Sequence, residues 1–334
     1  MQLKKYFFIL SSFLLLNSTS KAQDIVLSQP FVSNQFFGPA GVGNGMYSSR
    51  FQGNIKEQMI DGENLYRTIV IGYDTRFKPA ENTKNYLGIG GLIMSDQVMN
   101  GAMKSNFIAL DLAYHIFLDR NLYNDLSLGL GTVFAQTTLD KSNLKFADQY
   151  DIAGGYTGMA SMENLIPYPS SFSANSGVLY TSHSDESFFQ MGVTAMFLTK
   201  PNLTYAITNT APETKYRIFI NGEIPFFANY TIAYHGNFLN RKVGNQFYAG
   251  ASIGIPLSNY MDEVKRIYFG CYYRNQEAVV PTISFISDKY VFGISYDIYN
   301  PNITGSNLKL SSLELSLSTS FGSKKTNLFR TIFD

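Results

Sequence analysis

The chain has 334 residues, a net charge of +1 and a mean hydropathy of −0.06, with 15% aromatic and only 15% charged residues. Soluble domains carry about 25% charged residues, so an ordinary soluble composition is excluded, and the near-neutral balance offers nothing to nucleic acid. The single cysteine, Cys271, excludes an internal disulfide, and within 268–274 it reads as a small strand residue rather than a nucleophile.

At the start, Lys4 and Lys5 precede an apolar run over 6–16, and a small-residue site follows at Ser20, Lys21 and Ala22. This is the pattern of a secretory signal peptide over 1–22, cleaved before Gln23. The run is too short for a membrane helix, which needs about 20 apolar residues. Residues 23–46 read as an irregular N-terminal segment, with Ser28, Gln29, Pro30 and Phe31 followed by Gly38, Pro39, Ala40, Gly41 and Gly43.

From Tyr47 onward the chain alternates apolar and polar residues with a period of two. Strands are predicted over 47–58, 68–77, 86–95, 104–118, 125–139, 177–182, 188–198, 216–225, 229–239, 247–257, 266–274, 279–287, 290–299 and 309–321, about fourteen in all. The last is the clearest, with Leu313, Leu315, Leu317 and Phe321 alternating with Ser312, Glu314, Ser316, Ser318 and Ser320. In 107–118 the outward set is Ile108, Leu110, Leu112, Tyr114, Ile116 and Leu118, with Ala109, Asp111, Ala113 and His115 inward. After Asn245 the outward set is Phe247, Ala249, Ala251, Ile253, Ile255 and Leu257, opposed by Tyr248, Gly250, Ser252 and Gly254. Several strands reach ten or more residues, the length of tilted membrane strands rather than those of a soluble sandwich. The predicted fold is all-β: a single-domain transmembrane antiparallel β-barrel of about 14 strands over 47–322, with a short tail over 323–334. Tryptophan is absent, so interfacial girdles fall to the 23 tyrosines and 27 phenylalanines.

The longest interruption, 141–175, carries Tyr150, Gly154, Gly155, Tyr156, Gly158, Pro167, Tyr168 and Pro169 and reads as a loop, either extracellular or folded into the lumen. No catalytic, metal or cofactor constellation emerges. His115, His183 and His235 are scattered without metal-site spacing. Gly88, Gly90 and Gly91 precede no helix and so make no dinucleotide loop, while Asp262, Glu263, Lys265 and Arg266 read as a solvated turn. No serine is singled out as a hydrolase nucleophile, and the chain reads as a non-enzyme.

Several of these residues, in order, resemble the signature of the PorP/SprF family, outer-membrane proteins of the type IX secretion system of Bacteroidetes. The N-terminal part is matched by Gln23, Asp24, Ser28, Gln29, Pro39, Ala40 and Gly43, and a glycine cluster closed by an acidic residue by Gly88, Ile89, Gly90, Gly91 and Asp96. The C-terminal elements are matched by Tyr273, Arg274, Gly293, Ile294, Ser295, Tyr296, Asp297 and Glu314. Gly38 stands where the family has asparagine, residues 55–59 depart from an aromatic and basic run, and the chain continues past Phe321, the aromatic that closes the last alternating strand. The resemblance implies family-signature roles for Gln29, Pro39, Ala40, Gly43, Gly90, Asp96, Arg274, Tyr296, Asp297 and Glu314. It also implies a non-enzymatic protein that anchors or helps deliver a type IX cargo or adhesin and contacts the periplasmic ring, with outer-membrane lipid as its first partner. The residues themselves leave a second reading open, a diffusion channel lined by Asp111, Asp297 and Glu314, although the inward-facing Tyr248 and Tyr299 are bulky enough to close it.

Overall fold

The computed structural model describes residues 26–29, 34–61, 63–78, 84–98, 101–140, 144–151, 155–163, 170–199, 204–205, 208–209, 214–241, 244–257, 265–275, 277–300, 309–325 and 328–334. The signal-peptide pattern, Gln23 and Asp24, and the acidic pair of the 262–263 turn lie outside them.

The strands are β1 Tyr47–Ile60, β2 Glu63–Phe77, β3 Tyr86–Val98, β4 Met103–Phe117, β5 Asn124–Leu139, β6 Ser171–His183, β7 Phe188–Met196, β8 Thr204–Tyr205, β9 Thr208–Asn209, β10 Lys215–Pro225, β11 Thr231–Asn240, β12 Gln246–Pro256, β13 Arg266–Arg274, β14 Ala278–Ile286, β15 Tyr290–Tyr299 and β16 Leu310–Lys324. β8 and β9 pair with each other as a small hairpin between β7 and β10. The other fourteen close into one antiparallel barrel in chain order, β16 pairing with β1. No described helix is long and apolar enough to cross a membrane. The barrel crosses with strands, and its closure lets the wall strands pair with a neighbour on each side.

Alternation decides which way each side chain points. On β16, Leu313, Leu315 and Leu317 face out, while Ser312, Glu314, Ser316 and Ser318 are buried in the lumen. On β4, Ile108, Leu110, Leu112 and Tyr114 are exposed and Asp111, Ala113 and His115 buried, as their sequence predicts. β12 follows suit, with Phe247 and Ile253 outside and Tyr248 and Ser252 inside. Cys271 lies on the outer face of β13.

Several boundaries differ from the sequence reading by two or more residues, three of them with consequences for the wall and lumen. β2 starts at Glu63 and β6 at Ser171, where Ser173 and Asn175 pair with Val133 and Gly131 of β5, so the long connection is 140–170. β16 runs on to Lys324, and residues 328–334 turn back into the barrel. The first two extensions belong to the taller side of an uneven wall. β1–β6 and β16 have 13 to 16 residues, against 9 to 11 for β7 and β10–β15. About 9–11 residues cross a bilayer, so the tall side rises beyond the apolar band. There its outer face turns polar: Glu57 pairs with Arg67 (3.2 Å), Ser95 Oγ donates to Asn106 Oδ1 (2.8 Å), and Gln136 lies opposite Asn106.

The tall end, where β5 passes to β6 and β7 to β10, is called the loop end below. Tyr47 and Lys324 mark the opposite, turn end. Between them the lumen is filled by the chain itself, by residues 26–29, 34–46 and 328–334.

Candidate functional site: a plugged lumen and its vestibule

The plug begins at a lock around Ser28 and Gln29. The Glu314 carboxylate accepts the Ser28 amide (2.5 Å), the Gln29 amide (3.1 Å) and Asn54 Nδ2 (2.9 Å). The Ser28 hydroxyl donates to Asp297 (2.5 Å) and accepts from Lys56 Nζ (2.7 Å) and Arg274 Nη2 (3.1 Å), while Lys56 and Arg274 each also pair with Asp297 at 2.8 Å. Gln29 donates to Ser295 Oγ and the Glu314 carbonyl (both 3.2 Å) and accepts from Ser316 Oγ (2.9 Å). Two cations and two carboxylates balance in a site where Asp297 is 0% and Glu314 1% exposed. The balance matters because an unpaired buried charge is far costlier than a paired one.

From Asn34 to Asn44 the segment crosses the lumen as a floor. Gln35 Nε2 donates to the Tyr73 carbonyl (2.9 Å), and Arg217 caps the Phe36 carbonyl while its guanidinium lies over the rings of Phe36 and Phe37. Phe37 stacks on Phe219 at 4.6 Å. Pro39 opens a short 3-10 turn, a position where its missing amide costs nothing, and Ser127 Oγ donates to the Ala40 carbonyl (2.8 Å). His115 bridges the Val42 carbonyl (2.8 Å) and Asp125 (2.9 Å). Gly43 has φ +74, and a Cβ there would lie 2.8 Å from the Gly88 backbone. Its amide donates to Asp74 Oδ2 (2.7 Å), a carboxylate also held by Arg50 (3.2 Å), so only glycine lets the strap touch the wall here.

At the turn end, residues 328–334 form a stopper. The Phe329 amide donates to the Ser184 carbonyl (2.9 Å), Arg266 Nη1 to the Arg330 carbonyl (3.0 Å) and the Ile332 amide to Glu223 (3.1 Å). Ile332 and Phe333 are buried among Phe188, Tyr248, Tyr268, Tyr272, Val280, Ile286 and Val291, with Phe333 stacked on Phe188 at 5.5 Å. Asp334 joins stopper to floor, accepting the Met46 amide (3.0 Å) and that of Thr331 (2.9 Å). Burial alone would push its carboxyl up, but His183, Arg330 and the Thr331 hydrogen bonds outweigh it and hold it below the ordinary carboxylate range. Arg330 is buried with its nearest carboxylate oxygen at 3.7 Å and no hydrogen bond from its guanidinium among the described residues.

Above the floor, toward the loop end, a cavity of about 840 Å³ remains. Phe36, Gly38 and Pro39 form its base. Leu92, Met94, Met103, Phe107, Ala109 and Val133 form an apolar flank, and Lys215, Arg217 and Arg241 stand across from it. Among the described residues no group of three or more His, Cys, Asp or Glu is placed to hold a metal ion.

The residues that the sequence resemblance singles out fall into three places. Gln29, Arg274, Asp297 and Glu314 meet in the lock, across sequence separations of up to 285 residues. Pro39, Ala40, Gly43 and Gly90 build the floor, Gly90 lying against Gln35 Nε2 and Val42. Asp96 lines the vestibule, accepting from Thr68 Oγ1 (2.6 Å). Tyr296 belongs to none of these, since it faces outward at 44% exposure beside the inward Asp297. Sequence reasoning missed Lys56 and Asn54 of the lock, although inward-facing polar residues two apart on β1 were a visible signal. It also missed the stopper, whose Ile332 and Phe333 carry no periodic pattern.

Among solved structures, the chain is similar to the Ralstonia pickettii toluene transporter TbuX (TM-score 0.49, 9% identity, 91% of this chain and 96% of that chain covered). It is also similar to a Pseudomonas aeruginosa FadL homologue (TM-score 0.45, 10% identity, 85% and 93% covered) and to the KdgM porin (TM-score 0.37, 9% identity, 81% and 99% covered). Comparison with curated proteins finds no match. The profile of the type IX secretion system membrane protein PorP/SprF matches residues 19–318. The chain therefore belongs to the PorP/SprF family of type IX secretion system membrane proteins.

Proposed function

We propose that this chain is a non-enzymatic outer-membrane component of the type IX secretion system that anchors or helps deliver a cognate cell-surface cargo protein. The observation that carries this reading is a lumen closed by its own chain at two levels yet open above the floor as a vestibule of about 840 Å³, a shape for receiving rather than transmitting. Outer-membrane barrels keep longer loops outside and short turns in the periplasm. In that orientation the vestibule and the 140–170 connection face the cell exterior, and the stopper faces the periplasmic ring. The chain would reach the membrane through a signal peptide over 1–22 cleaved before Gln23, with 23–46 as plug and 47–322 as barrel.

The test is cross-linking from both ends. Photo-cross-linkers at Met162, in the long connection and 92% exposed, and at the turn-end Phe227 are activated in cells before purification in detergent. The expected result is a large surface protein captured from Met162 and periplasmic ring subunits from Phe227. The same protein is reconstituted in planar bilayers, where it stays silent. Stable open steps without any cross-linked neighbour would replace this reading with the diffusion channel.

A further inference from the structure

Asp111 projects from β4 into the vestibule beside Pro39, is only 4% exposed, and has no hydrogen bond or ion pair with any described residue. The other lumenal carboxylates discussed above are held: Asp74 by Arg50 and Gly43, Asp96 by Thr68, Asp125 by His115, Asp297 and Glu314 by the lock. The wall is also shaped for this side chain. Its register partners on both sides are glycines, Gly90 on β3 and Gly131 on β5. A Cβ on Gly131 would run into Asp111 Oδ1 and come within 3.2 Å of Pro39 Cβ. Toward the loop end the next inward positions of the wall are Leu92, Ala109 and Val133, with Met94 and Phe107 one step beyond, while Lys215, Arg217 and Arg241 stand on the opposite side of the cavity.

A lone carboxylate with little access to water is costly, and a cation brought to it offsets that cost. A hard metal ion is a poor candidate, because Ca²⁺ takes six to eight oxygens and Mg²⁺ a near-ideal octahedron, and Asp111 belongs to no cluster of three or more ligating side chains among the described residues. An ammonium or guanidinium on an apolar stem matches both the charge and its surroundings. Flexible methionines adapt to the stem, and Phe107, four residues further up the same strand, adds apolar surface for its far end. We propose that the vestibule is a binding site for an organic cation, an alkylammonium or guanidinium group whose charge pairs with Asp111 and whose stem packs on the β3–β5 flank. The assignment stands on the cavity and Asp111 and does not depend on which macromolecule docks at the loop end.

The experiment is isothermal titration of the full chain in non-ionic detergent with n-hexylammonium, with hexanoate as the anionic control. The wild type binds hexylammonium and not hexanoate. Asp111→Asn weakens binding at least about tenfold. Gly131→Ala keeps the charge but displaces the carboxyl, and weakens binding as well. Glu57→Gln, which removes one negative charge from the outer wall, leaves affinity within about twofold. Heat-modifiable migration on gels verifies that each barrel is folded, and Gly131→Ala keeps the test decisive if Asp111→Asn does not fold. A tripeptide Ala-Lys-Ala distinguishes the source: binding comparable to hexylammonium assigns the site to a basic side chain on a polypeptide, and binding of the free amine alone assigns it to a small molecule. The proposal is overturned if hexylammonium gives no heat at millimolar concentration, if hexanoate binds equally, or if Asp111→Asn or Gly131→Ala binds as the wild type does.

Discussion

Glu314 holds the plug more firmly than any hydroxyl in the lock, because it accepts two consecutive backbone amides and its charge completes the balance with Lys56, Arg274 and Asp297. Glu314→Gln leaves two buried cations facing one carboxylate and is expected to weaken docking of Ser28 and Gln29 by about 3 kcal/mol. Ser28→Ala removes only a neutral hydroxyl and costs about 1 kcal/mol. Hydrogen exchange of the Ser28 and Gln29 amides checks both, and equal protection in the two variants would contradict the ranking. Asp334 gives a pH dependence of definite sign. Its folded carboxyl lies below the unfolded value of about 3.9, so its contribution is complete above that value and is lost as pH falls through the folded one. Acidification below about pH 4 should expose the Met46 and Thr331 amides to exchange, whereas a rise from pH 6 to 8 should not. At this scale the sequence showed which polar residues face inward, since period two is a local property. It could not show that Gln29, Arg274, Asp297 and Glu314 share one site, because that depends on barrel closure.

The strands were legible because alternation is a strand's own signature, and the exceptions have causes. The start of β6 reads as loop because its inward set is the polar Ser171, Ser173 and Asn175 and its outward set, Phe172, Ala174 and Ser176, holds a single large apolar residue, too few to show a period of two. The stopper was invisible because an isolated Ile332–Phe333 pair acquires meaning only against the aromatic cluster of β7 and β11–β15. Phe333→Ala should release it: deleting the ring from a packed site costs about 3 kcal/mol, and buried Arg330, whose guanidinium donates no hydrogen bond among the described residues, adds little to hold the segment in place. The expected outcome is faster tryptic cleavage at Lys324, Lys325 and Arg330 in a barrel that otherwise migrates as folded. Unchanged cleavage would mean that the backbone bonds to Ser184 and Glu223 suffice.

For the whole molecule, the uneven wall predicts where lipid ends. Asn106→Cys, on the polar outer face of β4, should react with a charged maleimide added to intact cells, and Leu112→Cys, further along the same face, should not. Native Cys271, on the outer face of β13, should stay silent as background. Reaction of both introduced cysteines would place the whole face of β4 in water. The strand number was readable from the chain, but a filled lumen was not, since strand patterns describe walls and say nothing of what they enclose. The lock has a further bearing on how the molecule is made. It draws on Asn54 and Lys56 of the first strand, Arg274 of β13, and Asp297 and Glu314 of the last two, and so straddles the seam where β16 meets β1. The strap carrying Ser28 is synthesised first, yet its berth is assembled last. If the seam zipped one residue out of step, Glu314 would turn toward lipid and a leucine toward the strap, and Ser28 would find no carboxylate. The strap thus serves as a gauge of correct closure, and a misregistered barrel would betray itself by an N-terminal segment open to protease.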